Sequence, residues 1–300
     1  MDRRSFLKAS VAGLGLIAGL GGKARPADRT AGERNPEAEL KLGSQEGRLP
    51  GGTLGEKVEN LVKYGGIGLE IGSGGLPGRI PEIRAAIRGT GVKISAICAA
   101  DGPYIIPDEA ERGRKIAGAK ALLSAAGELG ATGVIMVPAF NGAGNQLTGL
   151  PARDLLLRVL AELGAHAVKV GGRMLIEPLN RDEAFFLRQL ADAASICRDA
   201  NSPGIAMMGD LYHMAIEETS DTGAFISAGG YLHHVHLASR TRILPGQDDR
   251  DFKDAFRGLK RIGYRDYCSL ECGCRGDPAV EIPKSFRFLE KQWKEADDRA

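Results

Sequence analysis

Four side chains able to hold a metal ion stand at matching places in the sequence, each at the end of a short apolar run. Glu177 lies in RMLIEPLN, Asp210 ends GIAMMGD, His236 lies in LHHVHLA and Glu271 in YCSLECG. Three carboxylates and one imidazole suit a hard or borderline divalent cation such as Mn²⁺ or Mg²⁺ better than a thiolate zinc site. Taken singly, each has a plainer reading. Asp210 can cap a helix, Glu177 can pair with Arg173 or Arg181, Glu271 can pair with Arg275, and His236 can be a satisfied core histidine. Taken together, on four consecutive strand ends, they point to one site.

Such a site requires elements that bring the four ends to one place. The chain alternates apolar runs with helical segments. The runs ELKLGSQ, GIGLEIG, VKISAICAA, GVIMVPAF, RMLIEPLN, GIAMMGD, LHHVHLA and YCSLECG read as strands. The segments between them, 54–64, 80–88, 108–129, 151–168, 182–200, 222–228, 249–262 and, after the last, 279–295, read as helices. Continuous rather than alternating apolar runs are what parallel strands covered on both faces show. Eight strand–helix units over residues 38–295 match a closed (β/α)₈ TIM barrel, in which chemistry sits at the carboxyl ends of the strands. An open doubly wound sheet is the alternative, but no GxGxxG opens its first turn.

Composition narrows the function classes. The 300 residues carry 40 basic and 38 acidic side chains, so no basic field exists to track a nucleic-acid backbone. Five cysteines cannot all pair within one chain. Cys268, Cys272 and Cys274 are close together, but their spacing lacks a second CxxC and makes a weak zinc motif. The first 30 residues read as a targeting segment: Arg3 and Arg4 precede Ser5, Phe6, Leu7 and Lys8, then a Gly- and Ala-rich stretch from Val11 to Gly22. This resembles a twin-arginine export signal, too short and glycine-rich for a comfortable membrane span. It implies export of the folded chain to the periplasm, or membrane anchoring if the segment is retained. Residues 31–37 then read as a linker, 38–295 as the barrel and 296–300 as a tail.

The motifs resemble those of the xylose isomerase-like TIM barrels, a superfamily of sugar phosphate isomerases and epimerases. Within it they are most similar to the ketose 3-epimerases, the D-tagatose and D-psicose 3-epimerase group. EPLNRDE, DLYHMAIEE and HVHLASRTRILPG carry the resemblance, which covers roughly residues 38–295. It implies that Glu177, Asp210, His236 and Glu271 bind one divalent ion, Mn²⁺ foremost, with Mg²⁺, Co²⁺ or Zn²⁺ as alternatives. It also implies that Glu183, His213 and Arg242 contact a small carbohydrate, and that Glu177 and Glu271 are the catalytic base and acid. The chemistry would be proton abstraction beside a carbonyl through an enediolate, stabilised by a Lewis acid. Members of this family often form homo-oligomers.

The chain departs from the family in two places. ASRTR follows the seventh-strand histidine where an acidic residue is common, and aromatic residues in the early loops are sparse, with Tyr104, Phe140 and Tyr212 as candidates. Ser44, Gln45, Glu46, Asn141 and Asn145 offer polar contacts instead. Alternatives to an epimerase or isomerase are a lyase or hydratase on 3-keto-sugars or keto-glycosides, an abasic-site nuclease on the same barrel, and a non-catalytic sugar-binding barrel. The nuclease would need more histidines than the five present.

Overall fold

The structure, a computed structural model, describes residues 37–99 and 102–296. Eight parallel strands close into one barrel in sequence order: β1 (Lys41–Gln45), β2 (Gly68–Gly72), β3 (Lys93–Cys98), β4 (Val134–Met136), β5 (Met174–Ile176), β6 (Ile205–Asp210), β7 (Leu232–Leu237) and β8 (Tyr267–Leu270). The β1–β8 pairing closes the ring and excludes the open doubly wound sheet.

Around it run the helices α1 (Leu54–Lys63), α2 (Leu76–Ile87), α3 (Glu109–Leu129), α4 (Gly149–Val170), α5 (Leu190–Ala200), α6 (Leu211–Glu217), α7 (Asp221–Ala228), α8 (Lys253–Arg261) and α9 (Pro278–Glu295). Most turn an apolar stripe inward. On α1 the buried residues are Leu54, Val58 and Leu61, the i, i+4, i+7 spacing of one helix face. Thr53 and Glu56 close its first turn as a reciprocal capping box.

Helical segments differ from the sequence expectation at several places: α2 begins at Leu76 rather than residue 80, α8 at Lys253 rather than residue 249, and two further departures bear on the site. The segment expected over 182–200 begins only at Leu190. Residues 182–189 form a loop instead, because Asn180 holds its start: its side-chain oxygen accepts from the Asp182 N–H at 2.9 Å and its carbonyl from the Glu183 N–H at 3.1 Å. Leu187 also takes a left-handed φ of 64°, which no right-handed helix can absorb. Conversely, α6 is an additional helix that starts with no loop at all after β6.

The barrel interior is divided. One side is apolar, with Ala96, Ile135, Leu175, Ala206 and Met208 packed together. The other is polar: Ser44, Glu70, Ser95, His234, His236 and Ser269 are all buried. Ser95 on β3 and Ser269 on β8 hydrogen-bond at 3.0 Å although their strands are not neighbours, so the bond crosses the interior. No described helix is long and apolar enough to cross a membrane. The five cysteines are free thiols, and Cys268, Cys272 and Cys274 do not form a ligand group among the described residues.

Candidate metal centre and active site

The four expected ligands converge. Glu177 directly follows β5, Asp210 is the last residue of β6, His236 lies one residue before the end of β7, and Glu271 directly follows β8. Strand register sets their heights. Asp210 pairs with His236, His236 pairs with Ser269, and the Glu271 N–H reaches the Leu237 carbonyl at 3.3 Å. Each contributes one atom to a cluster in which all four lie within 4.8 Å of one another. From His236 Nδ1 the distances are 3.2 Å to Glu271 Oε2, 3.8 Å to Glu177 Oε1 and 3.9 Å to Asp210 Oδ2.

The plainer pairings fail. Arg181 binds Glu217 at 2.7 Å, Arg173 reaches the Thr132 carbonyl, and the backbone N–H of Arg275 donates to Gln247. The capping reading of Asp210 holds and is compatible with a ligand role. Its Oδ1 accepts from the Tyr212 N–H at 2.7 Å and caps α6, while its Oδ2 turns into the cluster.

Asp210 Oδ2 and His236 Nδ1 are buried without a hydrogen-bond partner among the described residues. Buried polar atoms left in this way are unfavourable unless a ligand satisfies them. The electrostatics agree. Burial, reinforced by Glu271, pushes the Asp210 carboxyl up to about 7. Burial also raises Glu177 well above the ordinary carboxylate range, with Glu271 and Asp210 adding to it. Against the penalty of its own burial, His236 is held well above the ordinary imidazole range by Glu271 and Glu70. Three carboxylates in one dry place therefore draw in positive charge, by a proton on the imidazole or by a cation. The donor set fits a divalent ion with oxygen-rich ligation.

The three residues assigned to substrate surround this cluster. His213, on α6, accepts at Nδ1 from the Asn180 N–H at 3.2 Å, and Asn180 Nδ2 lies 2.7 Å away. The proton therefore belongs on Nε2, which lies 3.6 Å from Asp210 Oδ2 without a hydrogen bond. Burial and the Arg242 charge hold this imidazole down to about 3, so it is a neutral donor at physiological pH. Arg242 spans the mouth, with one guanidinium nitrogen 3.1 Å from Glu183 Oε1 and another 3.0 Å from Glu271 Oε2. It adopts a left-handed φ of 54° in the turn after β7, where its N–H donates to the Ser239 carbonyl. That conformation costs a non-glycine residue roughly 1–2 kcal/mol, and its presence at the mouth marks a backbone fixed to aim this side chain. Against the penalty of burial, His236, Arg242 and Gln45 bring Glu271 below the ordinary carboxylate range.

Sequence reasoning missed Glu70, Asn180 and Cys98. Glu70 and Asn180 are fully buried and bond to the expected site residues. The available signal was a charged or amide side chain inside an apolar strand run. Cys98, ending β3, has its sulfur within 4.8 Å of ligand atoms of Glu70 and Glu271. Of the polar loop candidates, Gln45 enters the site, donating to both Glu70 and Glu271 at 2.8 Å. Ser44 bonds a neighbouring carbonyl, Asn141 ties to the Arg181 carbonyl, and Glu46 pairs with Arg79. Among the aromatics, Tyr212 stands under Arg242 and Phe140 packs beside Val137, Leu179 and Ala184, whereas Tyr104 is buried. His166 lies on α4 and bonds Ser124, apart from the cluster a nuclease would enlarge.

Comparison with known proteins agrees with this fold. A 3-dehydro-D-guloside 4-epimerase of Escherichia coli is 29% identical over 264 residues, covering 83% of this chain and 99% of the relative. A D-psicose 3-epimerase of Enterocloster bolteae is 30% identical over 119 residues, 40% of each chain. The crystal structure of a 3-keto-D-glucoside 4-epimerase from E. coli matches with a TM-score of 0.77 at 28% identity, covering 84% of this chain and 100% of that one. The family model described as xylose isomerase-like TIM barrel matches residues 58–292. The chain belongs to the xylose isomerase-like TIM barrel family.

Proposed function

We propose that this protein is a divalent-metal-dependent sugar epimerase whose substrate is a 3-keto-hexoside, inverted at the carbon beside the carbonyl. The carrying observation is the pair of unsatisfied buried atoms, Asp210 Oδ2 and His236 Nδ1, facing Glu177 and Glu271. A keto-glycoside is favoured over a free ketose because the likeness to the 4-epimerase spans 83% of this chain, while that to the D-psicose enzyme spans 40% of it.

Glu177, Asp210, His236 and Glu271 would hold the ion, with Mn²⁺ the preferred occupant. When bound, it supplies a Lewis acid for the negative charge that develops when a proton beside a carbonyl is removed. The protein's own groups do the proton work. Epimerisation needs one carboxylate to take a proton from one face of the carbon and another to return one to the opposite face. Of the three carboxylates in the cluster, Glu177 and Glu271, directly after β5 and β8, take those roles, while Asp210 caps α6. His213 Nε2–H and the Arg242 guanidinium donate to substrate oxygens as charge accumulates, and Glu183 accepts from a sugar hydroxyl.

Purified Mn²⁺-loaded protein incubated with 3-keto-glucosides and free ketoses in D₂O, followed by NMR, tests this reading. Deuterium incorporated at a single inverted carbon with the glycosidic bond intact is the expected result. Release of the aglycone would instead establish the lyase. No exchange in any keto-sugar would remove the proposal. The twin-arginine segment, within residues 1–36 and outside the described residues, is part of the same proposal: the folded barrel of residues 38–295 works in the periplasm, where glycoside breakdown supplies its substrate.

A further inference from the structure

Beneath the four ligands the barrel holds a buried polar set to which the chemistry above assigns no role. Barrel interiors are ordinarily filled by branched apolar residues, and the side lined by Ala96, Ile135, Leu175, Ala206 and Met208 obeys that rule. On the opposite side, fully buried Glu70 rises from β2. A carboxylate removed from water is tolerated only when its oxygens are satisfied, and two of the three side-chain partners of Glu70, His236 and Gln45, lead to the metal centre.

Its Oε2 accepts from His236 Nε2 at 2.9 Å and from His234 Nε2 at 2.8 Å. Its Oε1 accepts from Gln45 Nε2 at 2.8 Å, and the same amide nitrogen donates to Glu271 Oε1 at 2.8 Å. An ionised carboxylate only accepts, so Nε2 of His236 carries the hydrogen and Nδ1 is the nitrogen left for a ligand. Gln45 likewise engages Glu271 Oε1, leaving Oε2 as the oxygen turned toward His236 and Arg242.

We propose that Glu70 is a positioning residue for the metal centre, fixing the tautomer of His236 directly and the orientation of Glu271 through Gln45. The inference rests on the metal-dependent reading above. Two of the four ligands, on adjacent strands, are thereby set by one carboxylate on β2. Asp210 is set separately by its cap on α6. Outer partners of this kind typically contribute 10–100-fold to metal affinity.

The test is Mn²⁺ titration of the full-length protein, with free ion followed by electron paramagnetic resonance. Circular dichroism of the metal-free variants serves as the folding control. Glu70→Gln should weaken Mn²⁺ binding ~10–100-fold, and Gln45→Ala about 10-fold. In the metal-free protein at alkaline pH, where the imidazole is neutral, ¹⁵N-histidine NMR should show His236 of the wild type protonated at Nε2, with His236→Gln identifying its signals. Glu70→Gln should mix the two tautomers, which a merely structural role would not do. If Glu70→Gln fails to fold, Gln45→Ala at the strand end carries the test. Wild-type affinity in Gln45→Ala, or in a folded Glu70→Gln with an unchanged His236 ring, would overturn the inference alone. A wild type that binds no Mn²⁺ would overturn the metal reading and this inference with it.

Discussion

The guanidinium of Arg242 lies 4.7 Å from the centre of the Tyr212 ring, so a side chain on α6 carries the cation that bridges Glu183 and Glu271. A guanidinium on an aromatic face gains ~0.5–2 kcal/mol. Here the ring also fixes the height of the charge over the ligand cluster. Arg242→Ala should retain bound metal and lose ~10²–10³ in rate. Tyr212→Leu should lose less and Tyr212→Phe almost nothing. Steady-state kinetics with parallel elemental analysis checks this. A metal-free Arg242→Ala protein would mean that the residue serves the ion.

His213 should behave as a substrate group too. Its Nδ1 is occupied by Asn180, so only Nε2–H faces the centre. His213→Ala should keep its ion and lower kcat, showing a contact made mainly in the transition state. Asn180→Ala should reproduce part of that loss by freeing the ring. A rise confined to KM would show plain binding instead.

Asp210→Ala should remove the ion, since the other three ligands would surround a gap where Oδ2 stood. The wild-type site should also be pH-dependent. With Asp210 pushed up to about 7 and Glu177 raised, the metal-free cluster holds protons that must leave before the carboxylates can ligate. Mn²⁺ affinity should therefore climb as pH rises through 7. Calorimetry in buffers of different ionisation enthalpy should show proton release. Affinity flat from pH 6 to 8 would contradict the assignment.

Glu46 ties the β1–α1 loop to α2, accepting from Arg79 at 2.9 and 2.6 Å and from the Gly72 N–H at 3.0 Å. Although burial works to raise it, Arg79 and Gly72 hold its carboxyl below the ordinary range. A lowered folded-state pKa adds stability above the unfolded value, and that gain disappears as pH falls through the folded value. Glu46→Gln should thus lower Tm at pH 7, and the gap to wild type should close in acid below the ordinary glutamate range. A gap of equal size at pH 3 and pH 7 would show that the loss is not one of charge.

Replacing Arg3 and Arg4 by Lys should leave the protein in the cytoplasm, because the paired arginines ahead of Phe6 and Leu7 are the proposed export determinant. Cell fractionation with an unchanged periplasmic share would dismiss that idea.

The barrel and the convergence of four metal-competent side chains were legible because each rests on a local pattern: a short apolar run closed by such a side chain. Eight such runs leave little choice of fold. Glu70 was hidden for the opposite reason. Within GIGLEIG it is one charge among apolar neighbours, and its partners Gln45, His234 and His236 lie on β1 and β7. Only closure of the ring brings β2 within reach of β7. The short α6 was hidden by its own chemistry, because DLYHMAIEE read as a run of site residues while the same residues also satisfy a helix. The false helical start at 182 arose because Asn180 can cap a tight turn as well as a helix, and no periodicity separates the two over eight residues.

The junction of β6 and α6 places a constraint on how this barrel can diversify. Asp210 is both the last strand residue and the helix cap, so no spacer exists between a proposed metal ligand and the helix that presents Tyr212 and His213. An insertion there would have to break the ligand, the cap or the ring under Arg242. Added length that reshaped the mouth of this barrel would therefore be accommodated elsewhere, on the longer connections after β4, β5 and β7, with the sixth connection unchanged.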